Sequence, residues 1–254
     1  MEISLSLFYK IKIHLQRILG NLSFILIGFV VVLLLKYYYK YSIINHSQHR
    51  KFFKEMVRKN KPLLVCSNHL TMIDSVILQY AFGSYFYYLF FYKNFLWNVP
   101  AKEVFAKNFI GKIFLFLTKC IPIDRKGDPP YQELILNQIQ YVLLLKEPFL
   151  IFPEGGRSRK GTFDLENLTY GVGRILYNLG KINVLSVYLR GNKQKTFTNF
   201  PEKNSEFYIN YKLITPETNI KKKLLAEKEL TLQIGNTIKK LEEEYFLLQQ
   251  KIAQ

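Results

Sequence analysis

A histidine and an aspartate stand five positions apart in the stretch Ser67-Asn-His-Leu-Thr-Met-Ile-Asp-Ser75, between one apolar run (Leu63, Leu64, Val65) and another (Val76, Ile77, Leu78). On a continuous helix an offset of five turns about 140° round the axis, at about 100° per residue, so His69 and Asp74 would point apart. They meet if His69 lies in a loop and Asp74 sits in the first turn of the following helix. Thr71-x-x-Asp74 ahead of an apolar run is a capping-box pattern, with Thr71 at the N-cap and Asp74 at N3, its carboxylate reaching back. A carboxylate that reaches an upstream histidine fixes its tautomer and stabilises the imidazolium, which is what a general base requires. The plainer alternative is a helix-capping aspartate beside an ordinary loop histidine.

A second stretch, Phe149-Leu-Ile-Phe-Pro-Glu-Gly-Gly-Arg-Ser-Arg159, reads as a buried strand that stops at Pro153 and opens into a tight loop. Adjacent glycines, Gly155 and Gly156, allow positive φ and close backbone approach to a ligand. Such a loop can form a nest of N–H groups for an anion, and Arg157 adds a planar fork suited to bidentate phosphate contact. A Gly-Gly turn with solvated arginines is the alternative.

Taken together, Asn-His-x-x-x-x-Asp and Phe-Pro-Glu-Gly-x-Arg-Ser resemble the motifs of the glycerolipid acyltransferase family, typified by 1-acylglycerol-3-phosphate acyltransferases. Ala101-Lys-Glu-Val-Phe105, Gly111 and Ile121-Pro-Ile-Asp-Arg125 are similar to the family's second block, which ends in a phosphate-contacting arginine. Leu168-Thr-Tyr-Gly-Val-Gly-Arg174 resembles the helix after the third block, and the likeness runs from about Lys61 to Arg190. Gly156 stands where the family usually has threonine, and Ser186 where its fourth block has proline. The resemblance implies His69 as general base oriented by Asp74. Arg125, Glu154, Gly155, Gly156, Arg157 and Ser158 then bind the acceptor, with Glu154 either touching it or fixing the loop. It implies an acyl-CoA or acyl-ACP donor and a lysophospholipid acceptor, most simply 1-acylglycerol 3-phosphate, with glycerol 3-phosphate or another lysolipid as alternatives. No cofactor or metal is called for.

The elements that must position these residues alternate. Leu63–Ser67, Phe149–Phe152, Val184–Leu189 and Phe207–Ile214 read as strands. Cys120–Ile123 reads as a short strand, and the aromatic run Tyr85–Phe91 as another. Met72–Phe82, Lys102–Leu117, Tyr131–Lys146 and Leu168–Leu179 read as helices, the last stopped by Gly180. Strands separated by helical lengths predict an α/β fold, a mixed sheet flanked by helices. In the tail Asn219–Gln254, Ile234, Ile238, Leu241, Tyr245, Leu248 and Ile252 form a seam expected to pack on the domain rather than to dimerise.

Ahead of the domain, Ile18 to Leu35 carries no charge and is long enough, at roughly 27 Å, to approach a bilayer core of about 30 Å. Tyr37, Tyr38 and Tyr39 follow between Lys36 and Lys40, as in an interfacial belt. The segment either spans a membrane or lies in one leaflet as a helix or helix hairpin. Eight basic residues between 36 and 61 place the catalytic part on the cytoplasmic face by the positive-inside rule. The expected organisation is residues 1–60 as membrane-anchoring and basic interfacial segment, 61–216 as acyltransferase domain and 217–254 as helical tail. The net charge of +17, from 36 Lys and Arg against 19 Asp and Glu, calls for an anionic partner. A non-enzymatic basic protein bound to membrane or nucleic acid is the competing class, but the nearly uncharged aromatic run Tyr85–Tyr92 lacks the interleaved basic residues of a nucleic-acid surface. Two cysteines give no disulfide framework and no metal-ligand spacing. Cys66 is read as a buried strand residue, with a covalent acyl-cysteine the alternative.

Overall fold

The computed structural model describes residues 3–253. In chain order the elements are α1 (Leu7–Leu33, running on through a wider turn at Leu34–Tyr38), β1 (Ser42–Ile43), α2 (His46–Arg58), β2 (Leu63–Ser67), α3 (Asp74–Phe82), α4 (Tyr85–Phe90), β3 (Trp97–Asn98), α5 (Lys102–Phe105), α6 (Phe109–Leu117), α7 (Pro129–Leu144), β4 (Phe149–Ile151), α8 (Gly171–Leu179), β5 (Asn183–Gly191), β6 (Glu206–Ile214) and α9 (Lys223–Ala253). The strands form one mixed sheet in the order β1-β6-β5-β2-β4-β3, antiparallel only between β5 and β6. The α/β architecture read from the sequence is therefore the observed one.

Period-two alternation divides the sheet's side chains between two cores. Leu64, Cys66, Phe149, Ile151 and Val184 pack under α7, α8 and α9. Leu63, Val65, Leu150, Leu185 and Val187 pack on the other face, under α2 and α3. All five residues of β2 are buried because parallel neighbours flank it and helices cover both its faces.

Several local expectations give way to capping chemistry. The aromatic run after Gly83 is a helix, not a strand, because Ser84 accepts from Tyr87 N and caps it. Its rings pack against Phe24 of α1 rather than into the sheet. The helix expected over 102–117 breaks at Ala106–Asn108, where Asn108 Oδ1 accepts from Gly111 N and starts α6. Cys120–Ile123 is extended but touches β3 and Ala101 only through isolated bridges. The helix expected from Leu168 starts at Gly171, since Thr169 instead bonds Pro153 O through both its N–H and its hydroxyl.

Residues 42–58, expected to belong with the anchoring segment, supply a strand and a helix to the central fold: β1 pairs with β6 and Phe53 is fully buried. The tail docks likewise. Ile234, Ile238, Leu241 and Tyr245 are buried, while Leu248 is exposed and the Ile252 side chain lies outside the described residues.

Helix α1 is long and apolar enough to cross a membrane by length and composition, yet one stripe of it is buried along most of its length: Ile13, Gln16, Gly20, Phe24 and Gly28. Near its start Arg17 Nη1 donates to Glu147 Oε1 at 2.8 Å, and Glu147 Oε2 accepts from Trp97 Nε1 at 2.7 Å and Lys119 Nζ at 2.9 Å. Lys119 is fully buried, which pushes its pKa down to about 8, and its other protons go to Tyr92 O and Phe95 O. Removing one member of such a buried ionic cluster typically costs about 3–5 kcal/mol, because it strands the others.

Candidate active site

Parallel strands β2 and β4 are neighbours, with Cys66 opposite Ile151. The helices that follow them, α3 and α8, lie on opposite faces of the sheet. Loops leaving the carboxyl ends of two such strands diverge and open a crevice, where open α/β sheets bind ligands. The loop after β2 carries His69; the loop after β4 carries Glu154 to Ser158.

His69 and Asp74 meet. Asp74 is 3 % exposed. Its Oδ2 accepts from His69 Nδ1 at 3.0 Å, Leu70 N at 2.6 Å and Thr71 N at 2.8 Å, and its Oδ1 accepts from Thr71 Oγ1 at 2.5 Å. The capping box is thus half made: the aspartate reaches back as expected, but the Thr71 hydroxyl is spent on the carboxylate and the helix begins at Asp74 itself. A carboxylate only accepts, so Nδ1 carries the proton and the lone pair of a neutral ring sits on Nε2. The imidazole stacks on Phe152 at 4.0 Å between centroids, and among the described residues Nε2 has no hydrogen-bond partner. Below it, Asn68 clips β2 to β5 by bonding both N–H and C=O of Leu189.

Glu154 and Ser158 face His69's backbone. Glu154 Oε2 accepts from His69 N at 3.1 Å, and Ser158 N donates to His69 O at 2.7 Å. The Ser158 hydroxyl lies within reach of both His69 O and Glu154 Oε1. Two acceptors share one hydroxyl proton, and burial pushes the Glu154 carboxyl up to about 7, with the bonds from Ser158, His69 and Asp164 opposing that rise. These two side chains hold the two loops together; neither is turned outward.

The two glycines differ. Gly155 has φ +63°, and a Cβ there would meet Thr169 Cγ2 at 2.5 Å, so glycine is needed. Gly156 lacks positive φ, and a Cβ there would meet only Arg125 Nη1, at 4.0 Å. The turn therefore faces Arg125 across open space. Arg125 is half exposed and 3.7 Å from Glu103. Arg157 Nη1 donates to Thr198 O at 3.0 Å and to Asn199 Oδ1 at 2.7 Å, with no carboxylate within 4.0 Å among the described residues. Its charge is available to a ligand. By contrast Arg174 is matched by Glu133 and Glu227 at 3.7 and 3.6 Å.

His69, Arg125, Arg157, Gly155 and Gly156 all line one cavity of about 1160 Å³. Its apolar walls come from both cores, with Leu136, Ile139 and Val172 from one and Val31, Val76 and Phe152 from the other. The family model described as acyltransferase matches residues 49–190, more than half the chain. The chain belongs to the acyltransferase family. The matched span holds both loops and the whole His69–Asp74 pair, and acyl transfer to a glycerolipid acceptor is the chemistry this membership implies. An acyl donor and an acceptor follow as its partners. None of the curated proteins matches the acyltransferase.

Thr169, within the block Leu168–Arg174, fits against Gly155. Sequence reasoning missed the residues that hold the site from outside its motifs: Phe197, Thr198 and Asn199 surround Arg157. These three sit in a β5–β6 loop with no periodicity and no motif. No local signal pointed to them.

Proposed function

We propose that this acyltransferase moves a fatty acyl group from an acyl thioester to a hydroxyl of a phosphorylated lysolipid, 1-acylglycerol 3-phosphate being the simplest. The observation that carries the reading is the shape of the cavity. It joins a hydrogen-bonded His–Asp pair and an uncompensated arginine to apolar walls on both sides of the sheet, room for a chain on each. Nε2 of His69 takes the proton of the acceptor hydroxyl as its oxygen attacks the thioester carbonyl, whose π pair moves onto oxygen; the tetrahedral intermediate re-forms the carbonyl and breaks the C–S bond, and the proton on Nε2 passes to the departing thiolate. Asp74 keeps Nδ1 protonated and the ring aimed. Arg157, with Arg125 across the Gly155–Gly156 turn, holds the phosphate and so orients the hydroxyl. The donor is acyl-CoA or acyl-ACP.

The reading includes a membrane. Opposite its buried stripe α1 exposes Leu15, Ile18, Leu22, Ile25, Leu26 and Phe29. A helix fastened to the domain over so much of its length lies along a bilayer face, with its apolar side in one leaflet, rather than crossing. The break before α6 adds Phe109 and Ile110, 75 % and 76 % exposed. The basic run 36–61 favours the cytoplasmic leaflet.

The test is transfer from acyl-CoA by detergent-purified protein, with 1-acylglycerol 3-phosphate, glycerol 3-phosphate and uncharged monoacylglycerol as acceptors. Wild type should use the first best, and His69→Ala should lose activity by at least a hundredfold. Equal use of monoacylglycerol would refute the phosphate reading, and His69→Ala activity within tenfold of wild type would refute the base.

A further inference from the structure

We propose that the β5–β6 loop is the positioning element of the phosphate site, and that Asn199 aims Arg157. The inference rests on the phosphate reading of Arg157 given above. The loop lies beyond the residues matched by the family model, which end at 190.

Three contacts fix the guanidinium. Asn199 Oδ1 and Thr198 O accept from the same nitrogen, Nη1, and the Phe197 ring lies under the group at 5.2 Å from its centroid. Among the described residues Nη2 and Nε have no partner. The loop thus uses one edge of the fork and leaves the remaining donors for a bidentate ligand. A free arginine would lose side-chain freedom on gripping a phosphate; this one has lost it already. Phe197 is 40 % exposed and lines the cavity beside it.

The same loop grips the histidine loop, but by backbone alone. Thr198 N donates to Leu70 O at 3.0 Å and Met72 N to Asn199 O at 3.1 Å. Its base is pinned by Arg190, 6 % exposed, which donates to Gly161 O at 2.6 Å and Gln194 O at 2.7 Å. One short segment therefore sets the distance between the proton acceptor and the phosphate holder. The division of labour is testable because, among the described residues, the Asn199 side chain hydrogen-bonds only Arg157, whereas the Asn199 backbone serves the His69 loop.

The experiment is steady-state kinetics of the full chain with acyl-CoA and 1-acylglycerol 3-phosphate, for Asn199→Ala, Arg157→Ala and the double variant. Asn199→Ala should raise the acceptor KM about tenfold, while kcat and the donor KM stay within threefold. The double variant should be no worse than Arg157→Ala alone, since both changes act through one group. Should Asn199→Ala fail to fold, Phe197→Leu carries the same test: it removes the ring face under the guanidinium and should raise the acceptor KM alone. If these variants lower kcat and raise the donor KM as much as they raise the acceptor KM, the loop is only structural. If the Asn199→Ala effect persists in full without Arg157, the positioning is overturned while the phosphate reading stands. If Arg157→Ala itself leaves the acceptor KM unchanged, the phosphate reading fails and this inference fails with it.

Discussion

Glu154→Gln should stabilise the protein above neutral pH, progressively less as pH falls, and make no difference below about 4.5. The carboxyl is pushed up to about 7 from 4.5 by burial, so the folded chain holds its proton more tightly than the unfolded chain. The sign follows from linkage: stability is greatest below about 4.5, falls as pH rises through the window to about 7, and stays reduced above it. The step from 4.5 to about 7, at about 1.4 kcal/mol for each tenfold change in proton affinity, gives an upper bound of about 3.5 kcal/mol. Glutamine mimics the protonated group. Its Nε2 can donate to Ser158 Oγ, leaving that hydroxyl to donate to His69 O, while its Oε1 accepts from His69 N; Asp164 N loses a bond of 3.3 Å. At about 2–4 °C per kcal/mol for a chain of this size, the variant should melt up to about 14 °C above wild type at pH 8. Thermal unfolding in detergent at pH 5, 6, 7 and 8, read as the difference between variant and wild type, is the assay. A difference that stays flat across those four values would refute the reasoning.

Four further outcomes follow from the geometry. Asp74→Asn should lower kcat by about a hundredfold or more, because an amide nitrogen would face donors where the carboxylate now accepts four bonds; a loss of melting temperature with kcat intact would leave Asp74 a helix cap only. Cys66→Ser should retain activity within threefold, since the thiol is fully buried and burial pushes it far above its ordinary range; an acyl group trapped on Cys66 would overturn this. Membrane attachment should survive about 1 M salt and weaken in Leu22→Lys/Leu26→Lys, which alters only the exposed side of α1; release of wild type by salt alone would show that charge holds it. Gly173→Ala should cost about 1–3 kcal/mol in melting experiments, because its Cβ would fall 1.8 Å from Glu227 O of α9; an unchanged melting temperature would mean that α9 moves freely.

The central fold was legible because parallel strands buried on both faces are continuous apolar runs, and β2, β4 and β5 are such runs. The His69–Asp74 contact was legible because the capping pattern dictates that Asp74 turns back. Short aromatic stretches were not: Tyr85–Phe90 has the composition of a strand, and only the Ser84 hydroxyl and the facing Phe24 decide for a helix. Glu154 was expected either to touch the acceptor or to fix its loop, and Ser158 to bind the acceptor; the bonds of both run to His69's backbone. Sequence spacing cannot tell a side chain that faces the cavity from one that faces the neighbouring loop. Asn199 lay beyond reach altogether, since its relation to Arg157 spans 42 residues and passes through no regular pattern.

The pairing of Arg17 with Glu147 joins residues 130 positions apart, and this has a consequence in time. A chain made at about 5–20 residues per second presents α1 roughly 6 to 26 s before the partner of its arginine exists. Early in that interval, before α4, α6 and α7 have been made, neither the outer apolar side nor the stripe from Ile13 to Gly28 has protein to cover it. On the reading proposed above α1 lodges in lipid first, stripe included. The later chain then has to draw that stripe, with Arg17, out of the leaflet and onto α4, α6 and α7 as they emerge. On that same reading, biosynthesis runs from membrane to domain.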